Sequence, residues 1–245
     1  MNRERQLAQA FLALSDTYAA EFDPLHLFHS LVHACQDLLD VDAAAVMIAD
    51  ARGGLRTMAS TDEDAAFTEL LQLQSGNGPC MDSYRTGEPV SVPAIAAEQA
   101  HWPQLVAAVI DAGYDSLQAI PVRLHQRTLG VLTLLRRQLG PLTPDDVHLA
   151  QALADSAARA LMHWSTEPSR ADDVITRVQS AIVSKATLEI AKGMIAQYAD
   201  TTITEASHLL TAYARQRRIR LSETVQALVN RDMHPAAVAE AKPRT

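Results

Sequence analysis

The apolar period of this chain changes twice, and those two changes limit its fold more than any other feature. In FDPLHLFHSLVHACQDLL, residues 22–39, Leu27, Phe28, Leu31, Val32, Cys35 and Leu38 recur at helical spacing. The period then shortens. AAAVMIAD (43–50), LRTMAST (55–61), PVSV (89–92), SLQAIPVRL (116–124) and TLGVLTLLRR (128–137) are short runs bounded by Gly, Pro or Asp, and they read as strands. The Gly53-Gly54 pair between the first two, and the short spacing before the last, predict hairpins and so a mainly antiparallel sheet. WPQLVAAVIDAGY (102–114) reads as a helix set before the fourth strand. The helical period returns in LTPDDVHLAQALADSAARALMHW (142–164). There Thr143 is a good N-cap with Pro144 after it and Asp146 at the third position, and Val147, Ala150, Ala154, Ala157 and Leu161 share one face. Residues 23–165 are therefore expected to form an α+β domain, a sheet flanked by helices.

Outside that domain the chain is helical. Residues 1–22 read as an N-terminal helix with Leu7, Phe11, Leu14 and Tyr18 at heptad spacing. A polar segment with a proline breaks the pattern at 166–172, the expected linker. Residues 173–232 then hold three predicted helices, and 233–245 a flexible tail. In the first helix Val174, Val178, Ala181, Leu188, Ile195 and Tyr198 keep near-heptad spacing. Thr202 and Glu205 form a capping box opening the second, whose buried face is Ala206, Leu210, Tyr213 and Ala214. Ser222 is expected to cap the third, with Val225, Leu228 and Val229 inward. A unit this small buries little core alone, so association with a second copy, a homodimer, is expected.

Charge divides along the same boundary. The net charge is −8, but residues 1–169 carry 10 Lys+Arg against 21 Asp+Glu, and residues 170–245 carry 11 against 8. An acidic body with a mildly basic end suits a protein in which one domain meets phosphate. No apolar run is long enough to cross a membrane, and MNRERQLAQAF lacks a signal-peptide core, so a cytoplasmic location is expected. The two cysteines can form no four-ligand metal site. Cys35 reads as helix core, and Cys80, placed in a loop after GNGP, as a small semi-buried residue rather than a redox sensor. No nucleophile elbow, Walker loop, HExxH or paired-carboxylate pattern appears, and no histidine combines with Cys or Asp at ligand spacing. The expectation is a non-enzyme without metal or cofactor, and no phosphoacceptor pattern suggests phosphorelay control.

SKATLEIAKGMI, TITEASHLL and a basic stretch ending in LSETVQALV resemble the ANTAR family, RNA-binding modules of bacterial transcription antitermination regulators. The resemblance covers roughly residues 172–232 and centres on Ala191-Lys192-Gly193, with Glu189 before and Glu205-Ala206 after. Upstream, GNGPCMDSYRTGEPVSVPAI, Trp102-Pro103 and LAQALADSAARAL look like the GAF sensor domains that precede ANTAR modules in actinobacterial regulators. This chain departs from the ANTAR pattern at Ser207, where an aromatic is common, at Arg218, where asparagine is common, and at Lys185, where arginine is usual. The LHQRTLGV hairpin also lacks the glycine turn often found in GAF domains.

The resemblance implies binding of paired RNA hairpin loops and a pocket between sheet and helices for a small-molecule effector. The RNA-binding candidates are Lys185, Lys192, Gly193, Arg215, Arg218 and Arg220. Lys192 is expected to be left free by the apolar stripe. Gly193 either admits a sugar-phosphate backbone or permits close helix packing. Arg217 falls on the inward face and should snorkel at the helix end. Tyr84, Arg85 and Trp102, read as loop residues, are the effector-site candidates. The rival expectations are a sensor whose helical end serves dimerisation or protein docking, and a helical DNA binder.

Overall fold

The computed structural model describes residues 3–15, 24–50, 52–62, 67, 70, 71, 73, 76–163 and 172–239, with backbone alone for 15, 162, 163 and 172–181. The described residues fall into two compact units, one within 1–17 and 26–179, the other within 18–25 and 180–245. The division falls inside a helix. The expected 166–172 linker lies largely outside the described residues.

In the first unit α1 (Arg3–Ser15) and α2 (Pro24–Leu38) precede β1 (Ala43–Ala49) and β2 (Leu55–Ser60). There follow α3 (Pro79–Thr86), β3 (Val90–Val92), a 3-10 turn (Ile95–Glu98), α4 (Pro103–Asp111), β4 (Ser116–Leu124), β5 (Arg127–Arg136) and α5 (Pro144–His163). The five strands pair antiparallel in the order β2-β1-β5-β4-β3, the α+β architecture expected from the period changes. Every residue of β1 is buried. A strand buried at each position has both faces covered. Ala43, Ala45, Met47 and Ala49 share a core with Leu117, Ala119, Val131 and Leu135 of β4 and β5, and with Cys80 and Met81 of α3, Ile95, and Leu105, Val106 and Val109 of α4. The alternate positions Ala44, Val46, Ile48, Ile120, Leu132 and Leu134 are buried on the opposite face. There α5 lies along β4, its alanine-rich inner face of Ala150, Ala154, Ala157 and Ala158 letting helix and sheet come close.

Turns and caps follow from local chemistry. Asp50 accepts hydrogen bonds from the Arg52 and Gly54 amides and from Arg56 Nε, at 2.9, 3.0 and 3.0 Å, closing the β1–β2 hairpin around Gly53 at φ 78°. These donors, the Gly54 amide foremost, hold its carboxyl below the usual range. The Thr143 hydroxyl accepts from the Asp146 amide at 3.2 Å, as its N-cap reading requires, and Arg3 ties α1 to this corner through a 2.9 Å ion pair with Asp146. Where β5 pairs with β1, a Cβ at Gly130 would collide with the Met47 carbonyl oxygen and with Ile48, so two backbones approach too closely for any side chain. The β4–β5 hairpin, lacking glycine, places His125 in the left-handed region at φ 55°.

One helix of this unit was not expected. Pro79–Thr86 is helical, with proline in its first turn and Gly87 closing it at φ 72°, so Cys80, Tyr84 and Arg85 stand on a helix and not in a loop.

The second unit contains the C-terminal part of α6 (Asp172–Ala199), then α7 (Ile203–Arg217), α8 (Leu221–Val229) and the short turn α9 (Ala236–Ala239). The Thr202 hydroxyl accepts from the Glu205 amide at 3.1 Å, which satisfies an end donor of α7. Leu188, Ala191 and Ile195, the expected Ala206, Leu210, Tyr213 and Ala214, and Val225 and Leu228 are buried. The third helix begins two residues earlier than its sequence signal: Arg220, not Ser222, is its N-cap. Packing continues past residue 232, since α9 lies on α7 with Val238 fully buried.

Candidate effector face and basic helix end

The core between the sheet and α3 carries one polar spot. Cys80 and Ser83, one turn apart on α3, and Thr133 on β5 are all fully buried. Burial pushes the Cys80 thiol up to about 12, with the Thr133 hydroxyl beside it acting the other way. A thiol is so weak a partner that this hydroxyl remains effectively unsatisfied, and the Ser83 hydroxyl has no partner among the described residues. A buried hydroxyl without a partner costs about 1–3 kcal/mol. Sequence reasoning did not find this trio, because Ser83 and Thr133 become neighbours of Cys80 only when α3 docks on β5. The spacing of Cys80 and Ser83 on a proline-started helix was the available signal. The Cys35 thiol is likewise pushed up to about 12 by burial, so neither cysteine offers a thiolate near neutral pH.

The three effector candidates separate. Tyr84 and Trp102 are partly buried against the sheet-facing core, Tyr84 from α3 and Trp102 from the start of α4. Arg85 is exposed on α3. At the same core, the Tyr114 hydroxyl donates to Asp62 Oδ2 at 3.4 Å, and the Arg137 guanidinium lies 5.6 Å from the Tyr114 ring centre. Burial, with Asp62 second, raises the Tyr114 phenol above its usual value.

A model of the GAF domain family matches residues 23–162, over half of the chain. The chain belongs to the GAF domain family. At the level of fold, the GAF unit is similar to the GAF domain of a phosphoenolpyruvate-protein phosphotransferase from Coxiella burnetii, at 20% identity and TM-score 0.52, covering 66% of this chain and 94% of that one. It is also similar to free methionine-R-sulfoxide reductase from Neisseria meningitidis, at 16% identity and TM-score 0.53, covering 66% and 89%. No curated protein sequence matches the chain. Among the described residues no helix is long and apolar enough to cross a membrane.

Beyond the GAF unit, the candidate nucleic-acid residues fall into two groups. Arg215, Arg217 and Arg218 are exposed around the C-terminus of α7. The Arg217 guanidinium lies 5.3 Å from the ring centre of inward-facing Tyr213, which is the snorkelling expected of it. Arg218 closes the helix in the left-handed region at φ 55°. Its amide donates to Arg215 O at 3.2 Å, and the next amide, Ile219, donates to Ala214 O at 3.1 Å. Arg220 lies 3.8 Å from Glu223.

Lys192 belongs elsewhere. It is 3% exposed and pairs with Glu189 Oε1 at 3.2 Å, so the apolar stripe does not leave it free. Lys185 reaches the same oxygen at 2.7 Å. Burial raises the Glu189 carboxyl, but the two lysines outweigh it and the net direction is downward. The heptad reading counted apolar positions only and missed that the inward stripe of α6 includes the charged Lys192, whose partner Glu189 is exposed. Gly193 is half-buried, and a Cβ there would meet nothing within 4 Å, which removes close packing as the reason for the glycine.

Proposed function

We propose that the chain is an intracellular, non-catalytic regulator in which the GAF unit senses a small molecule and the helical unit binds RNA hairpin loops, in the manner of ANTAR antitermination modules. The observation that carries this reading is the set of exposed arginines, Arg215, Arg217 and Arg218, at the end of a capped helix in the more basic part of an otherwise acidic chain. Guanidinium groups donate to phosphate in a fixed fork and stack on unpaired bases, which suits a loop whose bases are splayed out. Lys185 and Lys192 contribute by holding Glu189, and through it α6, rather than by touching RNA. The buried hydroxyls of Ser83 and Thr133 supply the GAF unit with hydrogen-bonding capacity for a polar effector. Bound to paired loops in a nascent transcript, the protein would keep a terminator stem from forming.

A filter-binding assay on the full chain tests this, with hairpin RNA and duplex DNA of equal length. RNA is expected to bind more tightly, and Arg215→Ala to weaken binding and lower the salt slope by about one. Equal affinity for both nucleic acids, or an Arg215→Ala protein indistinguishable from wild type, rejects the reading. The second reading, a helical unit devoted to self-association, is favoured by Val183 and Ile190, two turns apart on α6 and 63% and 54% exposed.

A further inference from the structure

On α2, His29 and His33 stand one helical turn apart with their Nε2 atoms 3.1 Å from each other and ring centres 4.3 Å apart. Two imidazoles in this arrangement can share a proton, one nitrogen donating and the other accepting, or both can turn lone pairs toward one cation. We propose that His29 and His33 form a two-imidazole chelate for a divalent transition-metal ion. The argument is first one of bite. Zinc sits about 2.0–2.1 Å from imidazole nitrogen, and an ion at that distance from two nitrogens 3.1 Å apart subtends about 100°. That angle falls between the right angle of octahedral and square-planar ions and the tetrahedral angle, so neither ring must move far. Ligation by both Nε2 atoms needs each ring to carry its proton on Nδ1, so the bridging proton moves from Nε2 to Nδ1 of the donating ring.

The second argument is preorganisation. His29 is exposed and His33 half-buried, so solvent and ions reach them. The helix beneath is anchored by Phe28, Leu31 and Val32, each no more than 1% exposed, so ordering the ligands has little entropy left to overcome. Imidazole nitrogen selects Cu2+, Ni2+ and Zn2+ over Mg2+ and Ca2+. Among the described residues no group of three or more His, Cys, Asp or Glu is placed to hold a metal, so the chelate rests on the two imidazoles.

The test is calorimetric titration of the tag-free full chain with Ni2+ or Zn2+, with Mg2+ as control. Wild type is expected to show one transition-metal site and no Mg2+ binding. His29→Gln and His33→Gln, which keep a hydrogen-bonding group but remove an imidazole, should each weaken that site about tenfold or more. His26→Gln, on the same helix, should retain it. Thermal unfolding without metal establishes that the variants are folded. Absence of a site in wild type, or wild-type affinity in both glutamine variants, overturns the proposal and leaves the pair as an imidazole–imidazole hydrogen bond.

Discussion

Gly193 occupies a helix interior where alanine would be favoured by about 1 kcal/mol, and nothing surrounds the position that a methyl group would strike. Gly193→Ala is therefore expected to raise the stability of the helical unit by about that amount in chemical denaturation. If the bare backbone serves RNA approach, the same variant loses hairpin affinity while gaining stability. Lys192 presents the opposite case, a charge that the core needs. Lys192→Ala removes a buried stem and leaves Glu189 with Lys185 alone, so a loss of about 1–3 kcal/mol is expected, against less than about 0.5 kcal/mol for exposed Arg215→Ala. The cluster also sets a pH dependence. Glu189 has its folded value held below its ordinary 4.5, so its contribution is present above that pH and disappears as pH falls through the lower folded value. Acid titration of the wild type should show this loss, and Glu189→Gln should lack it.

Among the elements, α7 is closed by a residue poorly suited to the position. Arg218 holds a left-handed conformation that an arginine side chain tolerates poorly and that asparagine or glycine adopts readily. Arg218→Asn should stabilise the unit by about 0.5–1 kcal/mol, read as a higher denaturation midpoint at unchanged slope. A lower midpoint would mean that the Arg218 side chain makes contacts worth more than the strain. The strands and long helices were legible beforehand, since period 2 and period 3.6 are written locally: β4 spans the expected residues, and Thr143 and Thr202 cap as read. The short helix α3 escaped because eight residues hold little more than two turns of pattern. Its start and stop lay instead in Pro79 and Gly87.

For the molecule as a whole, α6 carries one apolar side in the core and another facing solvent. Val183 and Ile190 are exposed on one side of it, while Leu188, Ala191 and Ile195 are buried on another. If a second copy covers the exposed side, Ile190→Glu should leave a folded monomer where wild type is a dimer, resolved by light scattering at micromolar concentration. The expected consequence is weaker binding to paired hairpins with single-hairpin binding retained, since two linked sites gain by effective concentration. A wild type that is monomeric throughout, or a dimer indifferent to Ile190→Glu, excludes this surface. Val178, a position of the near-heptad stripe read from the sequence, lies outside the described side chains.

The order of residues by itself determined the α+β domain, its antiparallel hairpins, the helical end and the charge division, because each depends on neighbours within a few positions. Tertiary structure alone decided which polar groups meet. It set the Thr133 hydroxyl of β5 beside Cys80 and Ser83 of α3 in an apolar core, buried Lys192, and brought β5 so close to β1 that Gly130 admits no side chain. These depend on how elements dock, and docking is driven by apolar area with little regard to direction, so no local period records which polar atoms it will bring together or strand.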